Sequence, residues 1–481
     1  MYYKSKLSGQ QFFNVLVGLC FILINVTCSS TEQRGPARNS SQFYRIGYPE
    51  VTTNAVGLIN VQEQPVLSVF VQIGLSSIIT RQEGDEKVAE VVIEAIIEKI
   101  VGEQSQSFRK AYTLNLIDDI IANKEGKFEF TQQYPVESGF YKVAVQVTDQ
   151  QTQKVATVGV ETIVPNISAT EPELSNLVFL VKDKVTNQFK PYLTSSIPQR
   201  FDSLQLYAQF ITANKPFKKA QIIIDRILSD SLPARRLHEQ EVLPGQLPFV
   251  GIDYRKTRSI YTNELFNSRD SNQKLHEVIE TLPMPRTGNY VAHVQIDYAD
   301  TIKVQRDLYF SIKPSYFPRL KTIRELAEPL AYLMDDKEYI KMMRIQDPDS
   351  MKKVIDSFWI KSLGNPRLAK QSLQLYYERV EQANRQFTTF KEGWKTDPGM
   401  IHILFGSPRV VDQIFRDVIW AYGMYQNQNY YDPSTTFIFI RVGATNNSFP
   451  FEHYLLRRDA NYFQTFQRIL EDWRSGANLI D

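Results

Sequence analysis

The 481 residues carry 55 Lys and Arg against 53 Asp and Glu, a formal charge of +2, so the chain has no broad cationic field for nucleic acid or anionic lipid. A content of 43% hydrophobic and 12% aromatic residues excludes a disordered chain and supplies core for roughly two to four domains. Two cysteines, Cys20 and Cys28, are too few for a disulfide-stapled ectodomain of this length.

Lys4 and Lys6 precede an apolar run from Phe12 to Val26, and Thr27, Cys28, Ser29 and Ser30 follow it. The run is too short to span a bilayer as a helix, which needs about twenty apolar residues, and it reads as a secretion signal over residues 1–27. Its end resembles a bacterial lipobox, with Asn25 in place of the usual Leu. That resemblance implies cleavage before Cys28, acylation of its thiol and contact with the lipid bilayer through the acyl anchor. An ordinary signal peptide that happens to contain a cysteine is the alternative. Ser29, where an inner-membrane retention signal has Asp, implies the outer membrane. A following segment with Glu32 as its single acid before residue 48 favours the periplasmic face over the cell surface. Residues 28–50 are polar and aperiodic, a flexible tether with a reach of roughly 25 Å.

From 51 to 316 the pattern is β. Val66–Val71 and Tyr141–Val147 run or alternate apolar over strand lengths between turn residues. In Val91–Ile100 the acids Glu90, Glu94 and Glu98 fit either a helix face or a strand face, and the Val and Ile content favours a strand. The segment Ser138–Val147 reappears as Thr287–Ile296, 149 residues on, each copy with Gly-x-Tyr ahead of an alternating run. Such a segment suits a late strand of a β-sandwich. The expectation is two tandem Ig-like sandwiches, at 51–168 and 172–316.

Beyond Pro314 and Pro318 the period changes, and 317–481 reads as a helical segment joined to a small α+β domain with an antiparallel sheet. Asp347-Pro348 and Asn365-Pro366 each supply an N-cap and a first-turn proline, and Gly364 stops the first of these two helices. Tyr376, Val380, Ala383, Phe387 and Phe390 form one apolar stripe. Then comes Gly393-Trp394-Lys395-Thr396-Asp397-Pro398-Gly399. It reads as a helix stop with Gly393 left-handed, a turn whose Thr396 and Asp397 bond their own backbone, and a strand over Met400–Leu404 with His402 facing away from the core. Strand-like runs at 418–422, 436–442 and 451–457 precede a last helix through Trp473.

The residues Gly393, Trp394, Thr396 and Asp397, with Gly406 and Pro408 after the apolar run, resemble the defining motif of the GWxTD-domain family of bacterial envelope proteins. Phe358-Trp359, Arg379 and Ala383 occur in the order that domain shows. The resemblance covers about the last third of the chain and implies an envelope address more than a reaction.

All four tryptophans, Trp359, Trp394, Trp420 and Trp473, fall in this last third. Core filling is the favoured reading; the alternative makes Trp359, Trp420 and Trp473 an exposed partner or glycan platform. His238, His276, His293, His402 and His453 show no ligand spacing, and no nucleophile elbow, Walker loop or dinucleotide fingerprint occurs, so no catalytic residue, metal or cofactor is expected. Three functional readings stand. The leading one is a non-enzymatic structural or accessory lipoprotein of an outer-membrane complex, for instance in β-barrel assembly or secretion, with outer-membrane proteins or other envelope lipoproteins as partners and no nucleic acid. The others are a glycan-binding lipoprotein and a hydrolase whose carboxylates are distant in sequence.

Overall fold

The computed structural model describes residues 39–40, 47–84, 86–101, 104–116, 127–182, 189–192, 194–239, 252–266, 274–299, 303–414, 417–423, 432–441 and 453–479. The leader, with Lys4, Lys6, Cys20 and Cys28, and most of the tether lie outside these.

The first nine strands are β1 (Asn39–Ser40), β2 (Glu50–Ile59), β3 (Pro65–Gly74), β4 (Arg81–Glu83), β5 (Glu86–Val101), β6 (Gln104–Leu116), β7 (Lys127–Pro135), β8 (Gly139–Asp149) and β9 (Val155–Val164). They form a sheet β2-β3-β7 facing a sheet β1-β9-β8-β5, with β4 and β6 both paired to β5. Leu67, Val69, Val71, Val91, Ile93, Tyr141, Val143 and Val145 interleave as the core. The stretch with acids at every fourth position is therefore a strand, β5. The tether reading needs correction: Asn39–Ser40 pairs with Gly159 and Val160 of β9, and Glu50 already opens β2.

The next ten strands are β10 (Glu173–Leu174), β11 (Val178–Lys182), β12 (Phe189–Pro191), β13 (Ser196–Pro198), β14 (Ser203–Ile211), β15 (Phe217–Ser229), β16 (Ile252–Phe266), β17 (Leu275–Pro283), β18 (Gly288–Tyr298) and β19 (Lys303–Lys313). They repeat the plan: β11-β14-β17 corresponds to β2-β3-β7, and β19-β18-β15-β16 corresponds to β9-β8-β5-β6. The likeness reaches single side chains. Gly139 (φ 145°) and Gly288 (φ 154°) open β8 and β18 in a region that L residues avoid. A Cβ there would meet Lys99 at 2.9 Å or Arg226 at 3.2 Å, the basic residues at matching places on β5 and β15. Two residues on, Tyr141 and Tyr290 bury their rings and donate their hydroxyls to the carbonyls of Glu137 (2.8 Å) and Arg286 (2.7 Å). Each closes a tyrosine corner over four residues, a device of Ig-like sandwiches. The protein is mostly β, two tandem sandwiches followed by an α+β region.

That region holds α1 (Ile323–Ala327), α2 (Asp336–Met343), α3 (Pro348–Leu363), α4 (Pro366–Gln386), α5 (Asp397–Phe405) and α6 (Tyr462–Ser475). Its sheet runs β20 (Val410–Ile414), β21 (Asp417–Ala421), β22 (Thr436–Arg441), β23 (Tyr454–Leu456), antiparallel throughout. The caps fall where the sequence puts them. Asp347 accepts the Ser350 N–H, Asn365 accepts the Arg367 N–H, and Gly364 is left-handed at φ 62°. The apolar stripe of α4 buries Tyr376, Val380 and Ala383, but the helix stops at Gln386, so Phe390 lies beyond it. Phe390 packs on Ile227, Val291 and Tyr309 of the second sandwich instead.

One sequence expectation fails here, and for the tryptophans the favoured core reading holds over its alternative. Asp397–Phe405 is a helix, where the sequence suggests a turn at 397–399 and a strand over Met400–Leu404: Thr396 caps α5, and every residue from Asp397 to Leu404 is buried. A helix covered on all sides has a mostly apolar run in place of a polar face, and so short a run reads equally well as a strand. Trp359, Trp420 and Trp473 are no platform, being 2% exposed or less. Trp473 donates its indole N–H to the Leu404 carbonyl at 3.0 Å and meets Trp359 edge-on. They fill a core among α3, α4, α5 and the sheet, which is what large aromatics do where helices cross a small sheet.

Candidate functional site

The motif lies where the terminal domain meets the second sandwich. Gly393–Lys395 make a single 3₁₀ turn packed on α4. Gly393 is required by close approach, not by a left-handed backbone: a Cβ would lie 1.8 Å from the Ala383 carbonyl oxygen. Trp394 is buried. Its N–H donates to Asn384 Oδ1 at 3.3 Å, and its carbonyl accepts the Tyr332 hydroxyl at 2.7 Å. The Thr396 hydroxyl donates to the Gly393 carbonyl (2.7 Å) and accepts the Gly399 N–H (3.1 Å), so one side chain ends the turn and starts α5. Gly399 is confined in turn, because a Cβ there would stand 1.8 Å from the Gly393 oxygen. At the far end of α5, Gly406 (φ 79°) leaves room for Arg379, whose Nη1 donates to the carbonyls of Ile403 and Leu404 at 3.2 Å. Pro408 is buried just before β20.

Asp397 is the departure of most consequence. The turn reading has its carboxylate bonding local backbone near solvent, yet its side chain is 5% exposed and faces Arg458, which is 4% exposed. Arg458 Nη2 reaches Oδ1 at 2.7 Å and Nη1 reaches Oδ2 at 3.0 Å, while Oδ2 also accepts the Leu456 N–H at 2.7 Å. The other guanidinium donors go to the carbonyls of Arg235 (2.8 Å), Arg236 (3.2 Å) and Leu456 (3.4 Å), so all five donors of the fork are used. Burial alone would raise the carboxyl pKa. The adjacent guanidinium and the Leu456 N–H outweigh it and hold Asp397 below the ordinary carboxylate range. Its place in the first turn of α5 adds the helix dipole in the same direction.

Residues 230–239 follow β15 as a strap that leaves the second sandwich and enters the terminal core, where Leu237 is fully buried. Three further ties hold it to the terminal domain. Lys391 pairs with Asp230 at 2.7 Å, both nearly buried, and also donates to the Leu232 carbonyl. The Ala234 N–H donates to the Tyr332 hydroxyl, which itself donates to the Trp394 carbonyl. Arg236 donates to the Met334 carbonyl and pairs with Asp336. Beside them Asn289 donates to the Phe390 carbonyl at 2.7 Å. The site is thus a joint, with two buried ion pairs among its ties.

Sequence reasoning finds Gly393, Trp394, Thr396, Asp397, Gly406 and Pro408, and the structure gathers all six around α5. It does not find Arg458, Lys391, Asp230 or the strap, because partners 61 and 161 residues apart leave no local signal. His402, placed by the sequence on the far side of a strand, is buried inside α5 with Nε2 3.0 Å from Gln382 Oε1. Burial, with Arg379 and Arg385 nearby, lowers its pKa to about 3. On the second sandwich His293 Nδ1 lies 2.7 Å from Asp307 and its Nε2 3.9 Å from Asp225. Among the described residues no group of three or more His, Cys, Asp or Glu is placed to hold a metal ion, and no helix is long and apolar enough to cross a membrane.

A GWxTD domain is found at residues 295–475, beginning inside β18 and ending at the last residue of α6. Among solved structures the chain is similar to a red sea bream transglutaminase, at 10% identity and a TM-score of 0.18, with 56% of this chain and 32% of that one covered. The chain therefore spans about a third of the length of that structure. No curated protein matches.

Proposed function

We propose that this chain is a membrane-anchored, non-enzymatic structural or accessory lipoprotein of an outer-membrane protein complex, held to the periplasmic face by an acyl group on Cys28. The observation that carries the reading is the fate of Asp397. The motif's one carboxylate has both oxygens engaged by Arg458 and a backbone N–H, and it lies inside the joint that couples the terminal domain to the second sandwich. A carboxylate so engaged is a poor base or nucleophile, because its lone pairs and its charge are already taken. Thr396, its neighbour, spends its hydroxyl on the backbone of the same joint. Two sandwiches fixed to a terminal domain offer extended surface to partner proteins, and the lipobox resemblance supplies the anchor.

Solubilising native membranes in mild detergent and isolating the intact chain tests this. Envelope proteins recovered at fixed stoichiometry, and still present after a high-salt wash, are the expected result. A chain that comes away alone under several detergents contradicts the proposal.

A further inference from the structure

Phe390 leaves the terminal domain to enter the outer face of the second sandwich, and His453 packs against it with ring centroids 4.8 Å apart. His453 is 5% exposed, and neither ring nitrogen has a hydrogen-bond partner among the described residues. The charged groups that act on it come from each side of the joint: Asp230 from the strap, Lys391 from the segment before the motif, and Asp397 from the first turn of α5. Asp230 is already paired with Lys391, and Asp397 with Arg458. Two acids and two bases cancel. A neutral imidazole adds no charge to this set, whereas an imidazolium would be a third buried cation with no counter-ion of its own.

We propose that His453 is a proton-operated latch: its neutral ring holds residues 390–397 against the strap at 230–236, and protonation opens the joint between the second sandwich and the terminal domain. Burial and the Lys391 ammonium lower the pKa in the closed joint to about 4, against the attraction of Asp397 and Asp230. In an open joint the ring meets water and returns to the ordinary value of about 6.5. The sign follows from the order of the two values. The open state binds the proton more tightly, so closure is fully favoured above about pH 6.5 and is lost as pH falls toward the closed-state value. Between these limits the opening constant rises about tenfold per pH unit, or about 30-fold by pH 5.

Hydrogen exchange on the intact chain between pH 4.5 and 7.5, corrected for intrinsic rates, reads the opening locally. Exchange in 227–239 and 388–398 is expected to rise about 30-fold from pH 7.5 to pH 5 while β14 stays protected. His453→Phe keeps the contact with Phe390, has no proton to bind, and is expected to abolish that rise. His402, in α5 outside both windows and also lowered in pKa, remains in this variant and controls for acid effects elsewhere, while His238 within the strap remains to sustain any rise of its own making. An unchanged rise in His453→Phe, or no rise in the wild-type chain, overturns the latch. Should His453→Phe not fold, histidine-selective NMR of the wild-type chain decides: a His453 midpoint near 4 supports the latch, and one near 6.5 overturns it.

Discussion

Replacing Asp397 with Asn changes the side chain by an oxygen for a nitrogen, and an exposed turn would scarcely register it. The buried pair makes it severe. The amide can still accept the Leu456 N–H, but Arg458 is left as a charge sealed from water with one of its two strong acceptors gone. Breaking a buried pair by removing one partner costs about 3–5 kcal/mol, a large part of the roughly 5–15 kcal/mol that holds a domain folded. Arg458→Met strands the carboxylate and removes the guanidinium bonds to the carbonyls of Arg235 and Arg236, and should be as damaging. The double variant contains neither charge. Its loss should therefore fall short of the sum of the singles by more than about 2 kcal/mol. Urea unfolding followed by tryptophan fluorescence is the assay, because Trp359, Trp394, Trp420 and Trp473 all lie in the terminal domain and leave the sandwiches silent. An Asp397→Asn protein within about 1 kcal/mol of wild type, or a double variant whose losses simply add, refutes the reasoning.

Gly393→Ala drives a methyl into the Ala383 carbonyl and should cost about 3 kcal/mol or more, whereas Gly364→Ala, left-handed but facing open space, should cost only about 1 kcal/mol; thermal melts of the pair separate close approach from backbone strain. Tyr141→Phe and Tyr290→Phe each remove one corner hydrogen bond and should lower their own sandwich by a similar amount, about 1 kcal/mol, measurable by hydrogen exchange in β8 and β18. Cys28→Ser should leave every melting transition in place and move the protein to the soluble fraction; sedimentation with membranes after a high-salt wash would show that something other than acylation holds it.

The sandwiches are legible in the sequence because strands such as β8 have a buried face and an open one, and period-two alternation in Tyr141–Val147 records that directly. The repeat is legible because the same turn and corner recur, with a glycine and a tyrosine that backbone geometry and the corner bond each demand. Helix caps at Asp347, Asn365 and Gly364 are legible since a cap is a local bargain between a side chain and the next few N–H groups. α5 is not, because burial on all sides erases the polar face that betrays a helix. The joint is not legible for a different reason. Asp397 looks like a turn residue within any short window, and what makes it a buried ion is an arginine just beyond β23 and a strap from another domain.

On the proposed function, the motif acts through the integrity of a joint and not through chemistry at Asp397. The most direct test is partner retention from mild detergent, measured beside the folded fraction of the same preparations for wild type, Trp394→Ala, Gly393→Ala and Asp397→Asn. All four should lie on one line, retention falling only as far as folding does, with Trp394→Ala losing about 3–5 kcal/mol. An Asp397→Asn chain that melts like the wild type yet retains no partner would contradict this.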